Sequence, residues 1–436
     1  MNSPGIAADP TVERLRAIEH DIANGRVKAA GDALNSLMRS APGDPRVFLS
    51  AAMLAQKTSQ GGQELALLAQ AVRVAPQWWP GFAELAKALA RQRRFAEALA
   101  AADKAVELAP RELVALEVAV SVATNADDAQ SAVRYLKAAL ELRPDDVAIH
   151  RALGIALDRV RDFAAAEAHW RAVLAAYPDD ASALGWLGTC LISLDRKAEA
   201  LPLLERAYAL APDHPNLPFH LAVARGETPA RQPDNMVQQL FDGYAGRFDQ
   251  HLEGMLQYRA PQRVTELLLA RWPRRDFSLL DLGCGTGLLG KHLGAIQGPF
   301  VGVDLSRNML EHAVKLNVYS RLRLNEIVAE MREIAPASFD AVTACDVFIY
   351  VGDLNETFAG CRKVLRPGGL LVFSCETAQD DEGAFVLRPS KRYAHSRAAI
   401  AALCREHGFG NATFEDIPLR IDEGRTIDGF LVRVEA

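Results

Sequence analysis

The chain has 436 residues, 50% hydrophobic and 24% charged, enough for two to four domains with real cores, and this excludes disorder on the scale of a domain. Lys and Arg total 49 against 55 Asp and Glu, a net charge of −6. The basic excess that holds a chain to a phosphate backbone is absent, so no nucleic-acid partner is expected.

No apolar run approaches the ~20 residues needed to span a bilayer, so no membrane partner is expected. The start, MNSPGIAADP, lacks a basic segment followed by an apolar one, and no secretory signal is read there. The six cysteines form no C-x-x-C pair and the ten histidines no His-x-x-x-His pair. Reduced thiols, a cytoplasmic location and no metal site are expected.

In the first half, Pro42, Pro76, Pro110, Pro144, Pro178 and Pro212 follow one another at intervals of 34 residues. Proline lacks an N–H and clashes with the preceding turn, so each marks a helix end. A 34-residue period is that of helix–turn–helix repeats. Five residues before a proline lie Ala71, Ala105, Ala139, Val173 and Ala207; twelve before lie Ala98, Ala132, Ala166 and Ala200. Small side chains there let helices approach closely. Gly154 and Gly188 recur at one grid position, after Leu153 and Leu187. These residues resemble the tetratricopeptide repeat family over roughly 11–225. The resemblance implies an all-α solenoid whose concave groove docks a protein or peptide partner. By repeat position the groove would carry Lys57, Lys87, Arg91, Glu117, Asn125, Arg151, Asp158 and Arg159, a set of mixed sign.

Residues 226–234 are polar, with two prolines, and read as a linker. Over 240–261, Leu240, Tyr244, Phe248 and Leu252 fall at helical spacing, an amphipathic helix packed on the domain that follows, 235–436.

From about residue 277 short apolar runs alternate with helical patterns. FSLLDLG, FVGVD, LRLNEIV, FDAVTAC and LLVFSC read as parallel strands covered on both faces, and ATFEDIPLR with TIDGFLVRV as an antiparallel edge pair. The expected architecture is an α/β Rossmann-like domain with a mostly parallel seven-stranded sheet. DLGCGTGLLG follows the first strand with Asp281, Gly283, Gly285, Gly287 and Gly290. Glycines there let the backbone turn tightly and approach a ligand. Asp304 ends the second strand, where a carboxylate accepts hydrogen bonds from both ribose hydroxyls of a nucleoside. Gly285-x-Gly287-x-x-Gly290 also satisfies the dinucleotide fingerprint. An acid at Asp281, two residues before Gly283, repels a pyrophosphate but suits an ammonium.

Asp-x-Gly-x-Gly-x-Gly (281–287), Asp304, SRNML (306–310) and LRPGG (365–369) resemble the class I S-adenosylmethionine-dependent methyltransferases. The resemblance implies S-adenosyl-L-methionine as cofactor. By motif position, Asp281, Gly283, Cys284, Gly285 and Gly287 hold its methionine end and Asp304 its ribose. Met309 packs near the adenine with Leu305 a further cofactor-binding residue, Glu330 and Met331 stand in the adenine-contacting segment, and Asp346 lies near the methyl group. The amphipathic helix becomes a lid, with Tyr244 and Phe248 at the pocket.

The acceptor is less legible. Asp346-Val347-Phe348-Ile349-Tyr350 lacks the Asn/Asp-Pro-Pro-aromatic pattern of amide and base-nitrogen methylation. In RYAHS (392–396) His395 has an ordinary pKa near 6.5 and suits a base, while Ser396 equally suits a helix cap. Tyr350 and Tyr393 are further catalytic candidates, and Arg392 a substrate contact. The favoured reading is methyl transfer to a small-molecule or carrier-bound acceptor, with the repeats docking a partner. A protein methyltransferase with its substrate in the groove, and a non-catalytic cofactor-binding scaffold, are the alternatives.

Overall fold

The computed structural model describes residues 9–244, 258–422 and 425–436. The chain divides into two compact units, Met1–Leu194 and Asp195–Ala436. Among the described residues no helix is long and apolar enough to cross a membrane.

The first unit is helical: α1 (Pro10–Ala23), α2 (Val27–Ser40), α3 (Pro45–Lys57), α4 (Gly61–Val74), α5 (Trp79–Arg91), α6 (Phe95–Leu108), α7 (Leu113–Asn125), α8 (Ala129–Leu142), α9 (Val147–Arg159), α10 (Phe163–Ala176) and α11 (Ala181–Ser193). From α2 on, helices of 14 and 13 residues alternate. The grid prolines fall in one kind of turn. In the other kind a single residue reverses the chain in the left-handed region: Gly25, Ser59, Arg93, Asp127 and Arg161, again 34 apart, with φ between 54° and 74°. After three of the proline turns an aspartate, Asp44, Asp146 or Asp180, caps the next helix; Asp44 accepts from the Arg46 N–H and Asp180 from the Ala183 N–H, both at 2.9 Å. The grid alanines Ala71, Ala98, Ala105 and Ala166 are all fully buried, so helices meet over them as the spacing predicts. At Gly154 a Cβ would stand 2.5 Å from Trp170 Cε2, so only glycine admits that indole. Trp170 is fully buried and stacks on Trp186 at 5.8 Å.

The second unit opens with Asp195, left-handed on the same grid, then α12 (Lys197–Leu210) and α13 (Leu217–Ala224). Next come α14 (Asp234–Tyr244) and α15 (Ala260–Arg271). The sheet is built from β1 (Leu279–Leu282), β2 (Phe300–Asp304), β3 (Arg321–Leu324), β4 (Phe339–Ala344) and β5 (Leu365–Thr377), parallel in the order 3-2-1-4-5. Helices α16 (Leu288–Leu293), α17 (Arg307–Ala313), α18 (Ile327–Glu333) and α19 (Asn355–Val364) connect them. A short hairpin of β6 (Phe385–Leu387) and β7 (Tyr393–His395) joins the far end of β5, before α20 (Arg397–Glu406). β9 (Arg425–Glu435) then pairs antiparallel with β5, and β8 (Thr413–Asp422) with β9. Seven strands thus form the main sheet, mostly parallel as expected, and the small hairpin is an addition to it. Apolar clusters cover both faces: Val342, Phe358, Phe373 and Val432 on one, Leu268, Leu279, Leu289 and Val372 on the other. Strand order reverses between β1 and β4, so a crevice opens at their carboxyl ends.

Candidate active site

The crevice is shaped first by backbone. Beyond β1, Gly283, Gly285 and Gly287 all take positive φ, at 60°, 55° and 89°. A Cβ on Gly283 would stand 2.5 Å from Val347 Cγ2, and one on Gly287 2.7 Å from Leu316 Cδ1. The loop is therefore closed to side chains by both conformation and space. Asp304, at the end of β2, ties it down: Oδ2 accepts from the Gly285 N–H and Oδ1 from the Ser306 N–H, each at 2.8 Å. Burial raises the Asp304 pKa, against the pull of these backbone donors.

Asp281 stands one strand away and is 1% exposed. The hydroxyls of Thr343 and Tyr319 donate to its two oxygens at 2.9 and 3.0 Å. Both donors are neutral, so burial prevails and pushes its pKa up to about 7.

A cavity of about 650 Å³ opens on these groups, and Asp281, Gly283, Cys284, Gly285, Asp304 and Leu305 line it. From α14 come Asp234, Val237 and Phe241, one helical face. α14 is fastened to α17 through Asp242: its side chain accepts from Ser306 Oγ at 2.6 Å and its carbonyl from Asn308 Nδ2 at 2.9 Å. The side chain of Tyr244 and all of Phe248 lie outside the described residues.

Residues 229–232, read from composition as part of a linker, are pinned to the loop after β4. The Ala230 carbonyl accepts from the Gly352 and Asp353 N–H groups at 2.8 Å, and the Gln232 N–H donates to the Tyr350 carbonyl at 3.1 Å. Ala230, Arg231 and Gln232 consequently form cavity wall. The Tyr393 hydroxyl donates to the Pro229 carbonyl at 2.7 Å. Tyr393 is thus turned to the strap and, unlike Tyr350 and Arg392, is not among the residues lining the cavity.

His395 also lies behind the wall. It is 2% exposed, Nε2 sits 3.0 Å from the Gly352 carbonyl, and burial lowers its pKa to about 4. The base poised near neutrality that the sequence suggests is instead a neutral ring held against the loop after β4; Ser396 caps α20 through the Ala399 N–H at 3.2 Å. Glu330 is turned away too. Its oxygens accept from Arg323 Nε and Asn325 Nδ2, both at 2.9 Å. In that region the cavity is lined by Glu326, Ile327 and Val328. Met309 and Met331 are fully buried beneath the wall, and Gly287 shapes the loop without lining the cavity.

The cavity wall also holds a charged cluster of which the sequence pointed only to Asp346. Asp346, which does line the cavity, has φ +58°, strained for a non-glycine residue. Arg420, on β8, donates from Nη1 to Asp346 Oδ2 at 2.8 Å and from Nη2 to Glu376 on β5. Arg420 is 3% exposed and Glu376 6%. Burial raises the Glu376 pKa; the two carboxylates keep Arg420 charged against its own desolvation. A strand irregularity aims Arg420: register shifts between Pro418 and Arg420, and the bare Gly429 leaves room for Leu419, whose Cδ1 would stand 2.2 Å from a Cβ there. Tyr258, just before α15, completes this wall. The only sequence signal for Arg420 was a basic residue in an apolar edge strand.

With this geometry in hand, the similarities to known proteins fall in place. A family profile described as a methyltransferase domain matches residues 280–371, and a tetratricopeptide-repeat profile matches 151–215. Profiles of both kinds thus match within one chain, at separate places. A ubiquinone biosynthesis O-methyltransferase of Paraburkholderia phymatum is 33% identical over 99 residues, 22% of this chain and 43% of that protein. Human methyltransferase-like protein 27 is 34% identical over 157 residues, 33% of this chain and 60% of that protein. This chain therefore spans about half the length of the curated relatives it matches. Among solved structures, the tetratricopeptide-repeat protein YrrB is 18% identical, with a TM-score of 0.38 over 44% of this chain and 98% of that one.

Proposed function

We propose that the second unit binds S-adenosyl-L-methionine in this cavity and transfers its methyl group to a small-molecule or carrier-bound acceptor. The observation that carries the reading is the meeting of two buried carboxylates, Asp281 and Asp304, at a glycine-rich loop in one cavity. The donor set fits a cationic nucleoside: Asp281 has only neutral hydroxyl partners, and Asp304 keeps lone pairs for a diol. When bound, the cofactor supplies an electrophilic methyl group on a sulfonium, and no metal is needed for its transfer. Asp304 holds the ribose hydroxyls and the loop around Gly283 and Gly285 receives the amino-acid end near Asp281. Cys284 and Leu305 provide apolar wall. Phe241 and Tyr350, edge to face at 5.4 Å, exclude water from the acceptor side. What remains for the chain to do is to align the acceptor nucleophile with the methyl carbon.

Residues 11–225 are assigned as the repeat domain, which docks a protein or peptide partner, and 235–436 as the methyltransferase domain. The segment 226–234 between them contributes cavity wall. The small-molecule reading is supported by the largely apolar lining of the cavity and by the curated O-methyltransferase relative.

Titration calorimetry of the full chain with S-adenosylhomocysteine tests the proposal. Micromolar binding is expected, and Asp304→Ala is expected to weaken it at least ~30-fold, the loss of two charge-assisted hydrogen bonds. Unchanged affinity in that variant removes Asp304 from the ribose site.

A further inference from the structure

Three buried polar atoms on residues of the cavity wall have no partner among the described residues: the Tyr258 hydroxyl, Asp346 Oδ1 and Arg420 Nε. Folded proteins rarely leave such atoms unpaired, and here three gather on one wall. They come from separate parts of the chain, ahead of α15, after β4 and on β8. Each is held in place at some cost. Asp346 sits in left-handed backbone, Arg420 is aimed by a bulge and buried between two carboxylates, and Tyr258 is 7% exposed.

We propose that these three groups recognise a hydroxyl on the methyl acceptor, borne by a neutral, flat, aromatic or enolic body; the inference rests on the reading of the cavity as a methyl-transfer site. Two of the unpaired groups donate, Tyr258 O–H and Arg420 Nε–H, and one accepts, Asp346 Oδ1. A hydroxyl both accepts and donates, so it answers both kinds. An ammonium accepts nothing and leaves both donors unpaired. A carboxylate donates nothing and leaves Asp346 Oδ1 unpaired. Charge points the same way. Asp346 and Glu376 face Arg420, and Arg392 lies close enough to act on both Glu376 and Tyr350. Two acids and two bases leave the wall near neutrality, so a charged group buried there gains no counter-ion. Phe241, Pro261, Ile349 and Tyr350 supply the apolar faces for a flat body.

Fluorine NMR on the full chain saturated with S-adenosylhomocysteine tests this, with 4-fluorophenol, 4-fluorobenzylamine and 4-fluorobenzoate as probes. The phenol is expected to bind at least ~5-fold tighter than either charged probe. Tyr258→Phe, which removes one oxygen and keeps the ring, is expected to weaken the phenol about tenfold, as is Asp346→Asn, in variants whose thermal melts remain cooperative. Equal or tighter binding of the amine or the benzoate, no binding of the phenol, or a Tyr258→Phe protein that binds it like wild type each overturns the inference while leaving the cofactor reading intact. Failure of S-adenosylhomocysteine to bind overturns both.

Discussion

Asp281 pays for its place in the cavity. An ordinary carboxylate titrates near 3.8, and burial carries this one to about 7. Between those values the folded chain keeps a proton that the unfolded chain has released, so this group's contribution to stability falls as pH rises through the window. Asp281→Asn removes that penalty. Without ligand, the variant is expected to be more stable than wild type by ~1–3 kcal/mol at pH 8 and little different at pH 4. Its affinity for S-adenosylhomocysteine is expected to drop at least ~10-fold, because the amide has no charge to offer the ammonium. Urea melts at the two pH values and calorimetry check both parts; a variant destabilised at pH 8 contradicts the burial argument. His395 shows the opposite displacement. Its chemical identity suggested a base, yet burial against Gly352 holds it neutral down to about pH 4. Residue type was legible in the sequence; the dielectric around it was not.

At the scale of elements, local rules explain most of what the sequence revealed. Proline and a small buried side chain recur every 34 residues because each acts within one helical pair. The glycine loop is local in the same sense, since positive φ is a property of single residues. Contacts between successive helices are nearly as regular. Gly154→Ala is expected to cost ~1–3 kcal/mol, since its Cβ would stand 2.5 Å from the buried Trp170 ring. A chemical-denaturation comparison with Gly31→Ala in α2, where a Cβ would meet Leu54 Cδ2 at an ordinary 3.8 Å, measures the difference. The β8 bulge lies beyond this kind of reading. It places Arg420 through a register shift against β9 and the absence of a side chain at Gly429. Nothing within a few residues of Arg420 announces that.

At the scale of the whole molecule, composition and fold disagree over the segment that joins the repeats to the α/β region. Its two prolines and polar side chains mark a linker, yet its backbone pairs with Tyr350, Gly352 and Asp353. A fragment of residues 235–436 therefore lacks part of the cavity wall, whereas 195–436 is a compact unit that retains it. The longer fragment is expected to bind S-adenosylhomocysteine within about 3-fold of the full chain, and the shorter one at least ~10-fold more weakly, with thermal melts reporting whether each is folded. Equal affinity in the two fragments would show that the strap is dispensable.

By itself the sequence determined the two kinds of fold and the glycine loop after β1, because repeat period, strand–helix alternation and glycine conformation are written in neighbouring residues. Tertiary structure alone decided which side chains reach the cavity. It turned His395, Tyr393 and Glu330 away, brought in Tyr258, Glu326 and Arg420, and made wall from a segment that looked like tether. Burial, hydrogen-bond competition and register are sums over residues far apart in the chain, and no local pattern records them.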